Sequence, residues 1–467
     1  MLAAGLAPAQ NQPDPGAREQ QEPSYEETFV LSTQNGFGAY ARAAGAYDFP
    51  GDSANGGIST GSKDAANRRA LHTFGLYAEI TGVYDSGLVL PAATQGPKPA
   101  SIASYGTEAI FGANAVHRWQ RGEWSVEYRG SYYEYTNAPA FDGLDQYLQL
   151  TFRDALLRHM DLDLKSTLGT TTITNGTFSY FPASALDRIG LPTDELFNTR
   201  TKYMQSRADL TWQVTGRLKL GLGGDGFVVR RDSPLLDGLS GYSARASASY
   251  RLTRHQTLSA TYTNTYFDFQ NAFGSGRLET GALGYSIALS RKWDLSALGG
   301  GVRVAMVGLT EVSLPPSITA LTGNPFAVVT FHGVHYLPVA EMRLMRRLKQ
   351  GFLSLEYASS VTPGNGYYLT SRQSSGMAAY SYLGGRGFEA RFHAGYNELA
   401  ALGQAFDKYS NVQGGMQVLY KLTNDAFLDL RYDYRHYDTG DLLLKSDANR
   451  MSLGVVFQLG DASLIAW

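Results

Sequence analysis

Cysteine is absent from all 467 residues. That excludes disulfide staples and thiolate metal sites, and it is compatible with export. No uninterrupted apolar run approaches the roughly 18 to 20 residues of a membrane-crossing helix. Charge of one sign is lacking too: 40 Lys+Arg stand against 42 Asp+Glu, a formal net charge of -2. No basic stripe suits nucleic acid, so a nucleic-acid partner is not expected. A chain of this length commonly divides into domains. Yet after residue 70 there is no composition shift and no Pro/Ser-rich linker, and one continuous architecture is the simpler reading. Also missing are paired carboxylates at catalytic spacing and any nucleophile beside a base, so no enzyme, cofactor or metal is expected. His332 and His335 come nearest to a metal pair and read as plain polar residues.

What the chain has in quantity is Gly (52), Tyr (30) and strict alternation. In Trp124-Ser125-Val126-Glu127-Tyr128-Arg129-Gly130-Ser131-Tyr132 the odd positions are charged or small and the even ones apolar or aromatic. Phe388 to Ala394, Leu428 to Arg435, Ser206 to Val214 and Tyr242 to Tyr250 repeat the pattern. Period two is the signature of a strand with one face in an apolar medium and the other in water.

Turn residues divide the region from about Leu71 to Leu459 into about 18 strands, with 16 as the lower count. Very short polar turns follow the even-numbered strands: Thr215-Gly216, Thr253-Arg254-His255, Leu348-Lys349-Gln350, Gly384-Gly385-Arg386 and Thr423-Asn424-Asp425. Long loops follow the odd-numbered ones. Trp119, Trp124, Trp212, Trp293, Phe352, Phe388, Tyr420 and Phe427 lie near the short turns, while Tyr132, Tyr262, Tyr357, Tyr396 and Tyr434 lie toward the far ends. Two belts of interfacial aromatics are what a membrane with two headgroup layers selects. A soluble sandwich or solenoid needs neither two belts nor a strict short-long alternation of connections.

The expected fold is therefore all-β: a transmembrane antiparallel up-and-down β-barrel over residues 71–467, with short periplasmic turns and long extracellular loops. Ahead of it, residues 1–9 end in Ala7-Pro8-Ala9 and read as the remnant of a signal peptide, or as an ordinary terminus. Residues 10–70 read as a flexible periplasmic segment without a core of its own.

With these belts and alternating strands the chain resembles the outer-membrane β-barrel proteins of double-membraned bacteria, both the 16- to 18-stranded porins and the exopolysaccharide-export barrels. The resemblance implies an outer-membrane location, lipid around the wall, and recognition of the last strand by the barrel-insertion machinery. Trp467 and Ile465 fit the terminal pattern of such proteins, Ser463 and Asp461 break it, and Met451, Leu453, Val455 and Phe457 keep it. It also implies a channel for small hydrophilic solutes. The alternatives are a dedicated exporter of an anionic exopolysaccharide, and a closed barrel serving as surface adhesin or scaffold. An oligomer is compatible with all three.

The expected pore-lining residues carry both signs: Glu127, Arg129, Arg153, Arg207, Asp209, Arg245, Arg303, Glu341, Arg343, Glu389, Arg391, Asp429, Arg431, Asp433 and Arg435. The long segment 175–199, with Phe178, Tyr180, Phe181, Asp187, Arg188, Asp194 and Glu195, is the candidate constriction, folding either into the pore or outward as a lid. Residues 310–329, with Pro315, Pro316 and Pro325, form a second candidate lid.

Overall fold

Alternation fixes the local structure, and the turn residues fix where each strand reverses. The computed structural model describes residues 72–89, 101–172, 199–270, 272–323, 325–384, 387–403, 408–439 and 445–460. Its strands are β1 (His72–Val89), β2 (Ser101–Arg118), β3 (Gly122–Tyr135), β4 (Gly143–Leu157), β5 (Met160–Thr171) and β6 (Thr201–Gln213). Next come β7 (Leu218–Arg231), β8 (Leu239–Thr253), β9 (Gln256–Phe269), β10 (Ser275–Ser290), β11 (Trp293–Ser313) and β12 (Phe326–Leu348). The last six are β13 (Gly351–Thr362), β14 (Ser371–Gly384), β15 (Phe388–Ala401), β16 (Tyr409–Lys421), β17 (Ala426–Asp438) and β18 (Lys445–Gly460).

All 18 strands form one antiparallel sheet in which each pairs with its sequence neighbours. β1 pairs with β18 from Gly75↔Gly460 to Asp85↔Arg450, closing the ring. The expected up-and-down barrel is the one observed. Closure leaves no sheet edge within the ring, which is what allows strands to cross lipid with every backbone group paired. Among the described residues no helix is long and apolar enough to cross a membrane.

The two faces separate cleanly. On β1 the odd residues Tyr77, Glu79, Thr81 and Asp85 are buried inside the ring, while Phe74, Leu76 and Ile80 are exposed on its outer wall. On β18 the even residues point inward, and Met451, Leu453, Phe457 and Leu459 point out.

Four of the short turns share one device. A Ser or Thr at the turn's start accepts the N–H two residues on: Arg217 to Thr215 Oγ1 (3.2 Å), His255 to Thr253 Oγ1 (3.2 Å), Lys292 to Ser290 Oγ (3.2 Å) and Asp425 to Thr423 Oγ1 (3.3 Å). The hydroxyl satisfies a donor that a tight reversal would otherwise leave open.

The second candidate lid is the tip of a long hairpin, part strand and part helix. β11 and β12 continue their ladder to Ser313↔Phe326, and only a short helix, α1 (Pro316–Thr322), caps the tip. The hairpin outgrows its neighbours, because pairing of β12 to β13 begins only at Ala340↔Ser359. Pro338 accounts for the break. Arg347 N–H bonds toward β11, to Lys292 O at 2.7 Å. Even residues of β12 therefore direct their N–H groups toward β13, and Pro338 has none to give.

Candidate conduction path and extracellular mouth

Inward positions over much of the ring are polar, as suits a ring too wide for its own side chains to fill. The densest group lies at the closing seam. Arg431 on β17 donates through Nη2 to both oxygens of Glu79 on β1, at 2.9 and 3.0 Å, and also binds Asp429. Thr81 Oγ1 donates to Glu79 (2.9 Å), and Gln417 Nε2 donates to Asp429 (3.0 Å). Above this level Arg450 on β18 pairs with Glu108 on β2 at 2.9 Å and with Asp85 on β1 at 3.7 Å. Neither Arg431 nor Arg450 reaches only its neighbour: the first spans β18 and the second spans β1.

Further pairs tie other sectors: Arg343–Glu356 (3.1 Å), Arg153–Asp163 (2.7 Å), Arg207–Asp209 and Arg245–Asp225 (3.6 Å). Arg343 is only 2% exposed, so its charge is compensated within the wall. Around β9 and β10 the polar inward groups are hydroxyls, with Thr257, Ser259, Thr263, Thr265 and Thr280 all buried. The lining is thus charged over most of the ring and neutral over one arc.

Toward the extracellular end the inside turns apolar. Phe227, Val229, Leu239, Phe267, Leu278, Val302, Val304 and Val339 form one cluster along β7 to β12. A second comprises Val89, Leu236, Tyr368, Leu399, Tyr409 and Tyr437, drawn from β1, the β7–β8 loop, the β13–β14 loop, β15, β16 and β17. Elements so far apart around the ring meet because the segment Pro363–Thr370 folds inward. Gly364 (φ 85°) and Gly366 (φ 90°) supply the left-handed turns this course requires. Asn365 Oδ1 accepts the N–H of Tyr368 (3.0 Å), and Tyr368 Oη donates to Thr439 O (3.0 Å). On the other side Asp237 N–H donates to Gly366 O (3.0 Å), with the Arg231 side chain packed against Gly366. Leu369 packs on the first cluster, so this segment bridges both. Burial pushes the Asp237 carboxyl above its ordinary range, and Arg231 pulls the other way.

The inner face carries Glu127, Arg129, Arg153, Arg207, Asp209, Arg245, Glu341, Arg343, Glu389, Arg391, Asp429, Arg431, Asp433 and Arg435. Arg303 does not join them. On β11 the even residues Val302 and Val304 are buried, and Arg303 lies on the outer wall opposite Tyr336. Two expected girdle members also differ: Phe352 and Phe427 are buried on the inner face. Trp124, Trp212, Phe388 and Tyr420 are exposed outward near the short turns, and Arg346 lies over the Trp293 ring at 5.0 Å. Trp119 donates Nε1–H to Asp154 (3.1 Å) and packs on Phe152. Neighbours on one face of β12 differ by two, so His332 and His335 point to opposite faces and cannot share a metal. The expected constriction residues Phe178, Tyr180, Phe181, Asp187, Arg188, Asp194 and Glu195 lie outside the described residues, as do residues 1–71 and 461–467.

No known family profile matches the chain, and no curated protein does. Solved structures of similar chain course include OccK2 (OpdF) of Pseudomonas aeruginosa, at 14% identity and a TM-score of 0.42, covering 83% of this chain and 98% of that one. A second structure of OccK2, in complex with glucuronate, has 14% identity and a TM-score of 0.41 over 83% and 96%. OccAB3 of Acinetobacter baumannii has 11% identity and a TM-score of 0.40 over 83% and 99%. Likeness at this level assigns this chain no ligand, and the glucuronate is that of the OccK2 complex.

Proposed function

We propose that the protein is a porin-like channel of a bacterial outer membrane, passing small hydrophilic solutes, with Pro363–Thr370 narrowing its extracellular mouth. The observation that carries this is the radial sorting of one closed ring. Ionisable and hydroxyl side chains point in, and large apolar ones such as Ile80, Leu222, Leu283 and Leu453 point out. Such a wall is stable only with lipid outside and water within. The inward series supports diffusion of solutes of either sign, because many of its arginines are tied to carboxylates rather than left as a basic track. An exporter of an anionic polymer would need that track, so nothing favours that alternative. Outward Met451, Leu453 and Phe457 on β18 support its recognition by the insertion machinery.

The test is single-channel conductance of the purified protein in a planar bilayer. The expected result is a stable open conductance of weak selectivity. A protein that inserts yet never conducts, even with Pro363–Thr370 shortened, would instead be a closed scaffold.

A further inference from the structure

Among the polar groups that the described residues place on the outer wall, those of β9 to β12 form a charged cluster. Asn264 on β9, Glu279 on β10, Arg303 on β11 and Tyr336 on β12 stand opposite one another in successive ladders, all facing outward. Arg277 joins them: its Nε lies 3.1 Å from Glu279 and 3.3 Å from Asn264 Oδ1, while Arg303 Nη1 donates to the other Glu279 oxygen at 3.3 Å. Two guanidiniums thus share one carboxylate, on side chains that remain 53% and 38% exposed. Most of their N–H donors are left for another acceptor, since each guanidinium has five.

Depth identifies the surroundings. Trp293 marks the short-turn end of β11, and the strand from there to Arg303 rises about 26 Å at ordinary tilt, against an apolar band about 25 Å tall. The cluster therefore lies at the outer headgroup level. Tyr262, Tyr266 and Tyr336 are exposed around it, and Tyr266 packs on Tyr242 at 5.7 Å. Directly below, toward the short turns, opens a shallow groove of about 660 Å³ lined by Ala246, Ala248, Ala260, Gly281 and Gly299 together with Tyr262 and Leu283.

We propose that this is a lipid site: Arg277 and Arg303 hold the phosphate of an anionic outer-leaflet lipid, and one of its acyl chains lies in the groove. Planar guanidiniums bind phosphate through paired hydrogen bonds, and the groove alone would accept any chain. A second copy of the protein is the weaker occupant, because a symmetric contact here would bring like-charged arginines together and strip their water. The proposal rests on the outer-membrane reading.

Native mass spectrometry of the detergent-purified barrel tests it, with a diphosphorylated lipid A as one probe and phosphatidylcholine as the other. The wild type should retain the phosphorylated lipid preferentially. R277Q/R303Q should weaken that retention about tenfold and leave phosphatidylcholine unchanged, and R277K/R303K should keep most of it. G281L, whose side chain enters open space, should reduce retention of both lipids. Equal retention of both probes by the wild type, indifference to R277Q/R303Q, displacement by millimolar inorganic phosphate, or dimers cross-linked across the groove would each overturn the site. Retention is read independently of conductance, so a barrel that binds lipid but does not conduct would sink the channel reading alone. Heat-modifiable mobility establishes that each variant is folded.

Discussion

Glycine on the inner face does what a longer residue cannot, letting a charge reach past its nearest strand. Arg431 meets Glu79 across β18 at the level of Gly454, where a methyl group would strike Thr81 Oγ1 and the carbonyl of Ile80. Gly415 plays the same part between His393 and Asp433, which lie 3.5 Å apart from strands on either side of β16. Breaking the seam contact should therefore be costly in proportion to burial. Arg431 and Glu79 expose only 13% and 5% of their side chains. Glu79→Ala should lower stability by about 2–3 kcal/mol, since Arg431 keeps Asp429. Gly454→Val should cost a comparable amount, and outward Gly414→Val little. Urea unfolding of the folded barrel in lipid measures all three. If Glu79→Ala and Arg431→Ala prove additive, the two residues do not hold the seam together.

At the scale of elements, the mouth is narrowed by a loop whose anchors are scattered along the chain. Replacing Tyr368 with Ala removes a fully buried ring and its bond to Thr439 O. Gly364→Ala places a methyl group on the Tyr368 carbonyl at a backbone angle that disfavours it. Both should release the segment and raise single-channel conductance without preventing assembly; unchanged conductance would put the narrowest point elsewhere. The same loop should respond to pH. Asp237 has a raised folded-state pKa, so its contribution to holding the loop inward is present at low pH and is lost as pH rises through that value, above the ordinary aspartate range near 3.9. Conductance should be smaller in acid, and Asp237→Asn should abolish the dependence. Pro363-Gly364-Asn365-Gly366 announces a turn in the sequence. It does not announce the turn's direction, because Val89, Leu236, Leu399, Tyr409 and Tyr437 become neighbours only after the ring has closed.

For the molecule as a whole, period two made the barrel legible, since every strand must sort its faces the same way. The same rule failed where the inner face is itself apolar. On β11 the inward series Leu298, Gly300, Val302 and Val304 resembles a lipid face, so its one Arg reads in the sequence as facing water. Phe352 and Phe427 failed likewise, being aromatic near a turn yet inward. Selectivity measurements can decide the faces independently. Arg129, Arg207 and Arg391 line the ring from β3, β6 and β15. Converting all three to Glu reverses three lining charges and should move the reversal potential toward cations under a salt gradient, by more at 0.1 M than at 1 M salt. Screening shortens from about 10 Å to about 3 Å between those concentrations. Arg303→Glu changes the formal net charge equally per residue but outside the path, so selectivity should stay where it was. A shift with Arg303→Glu as large as that with Arg391→Glu would mean that β11 has been placed with the wrong face to the water.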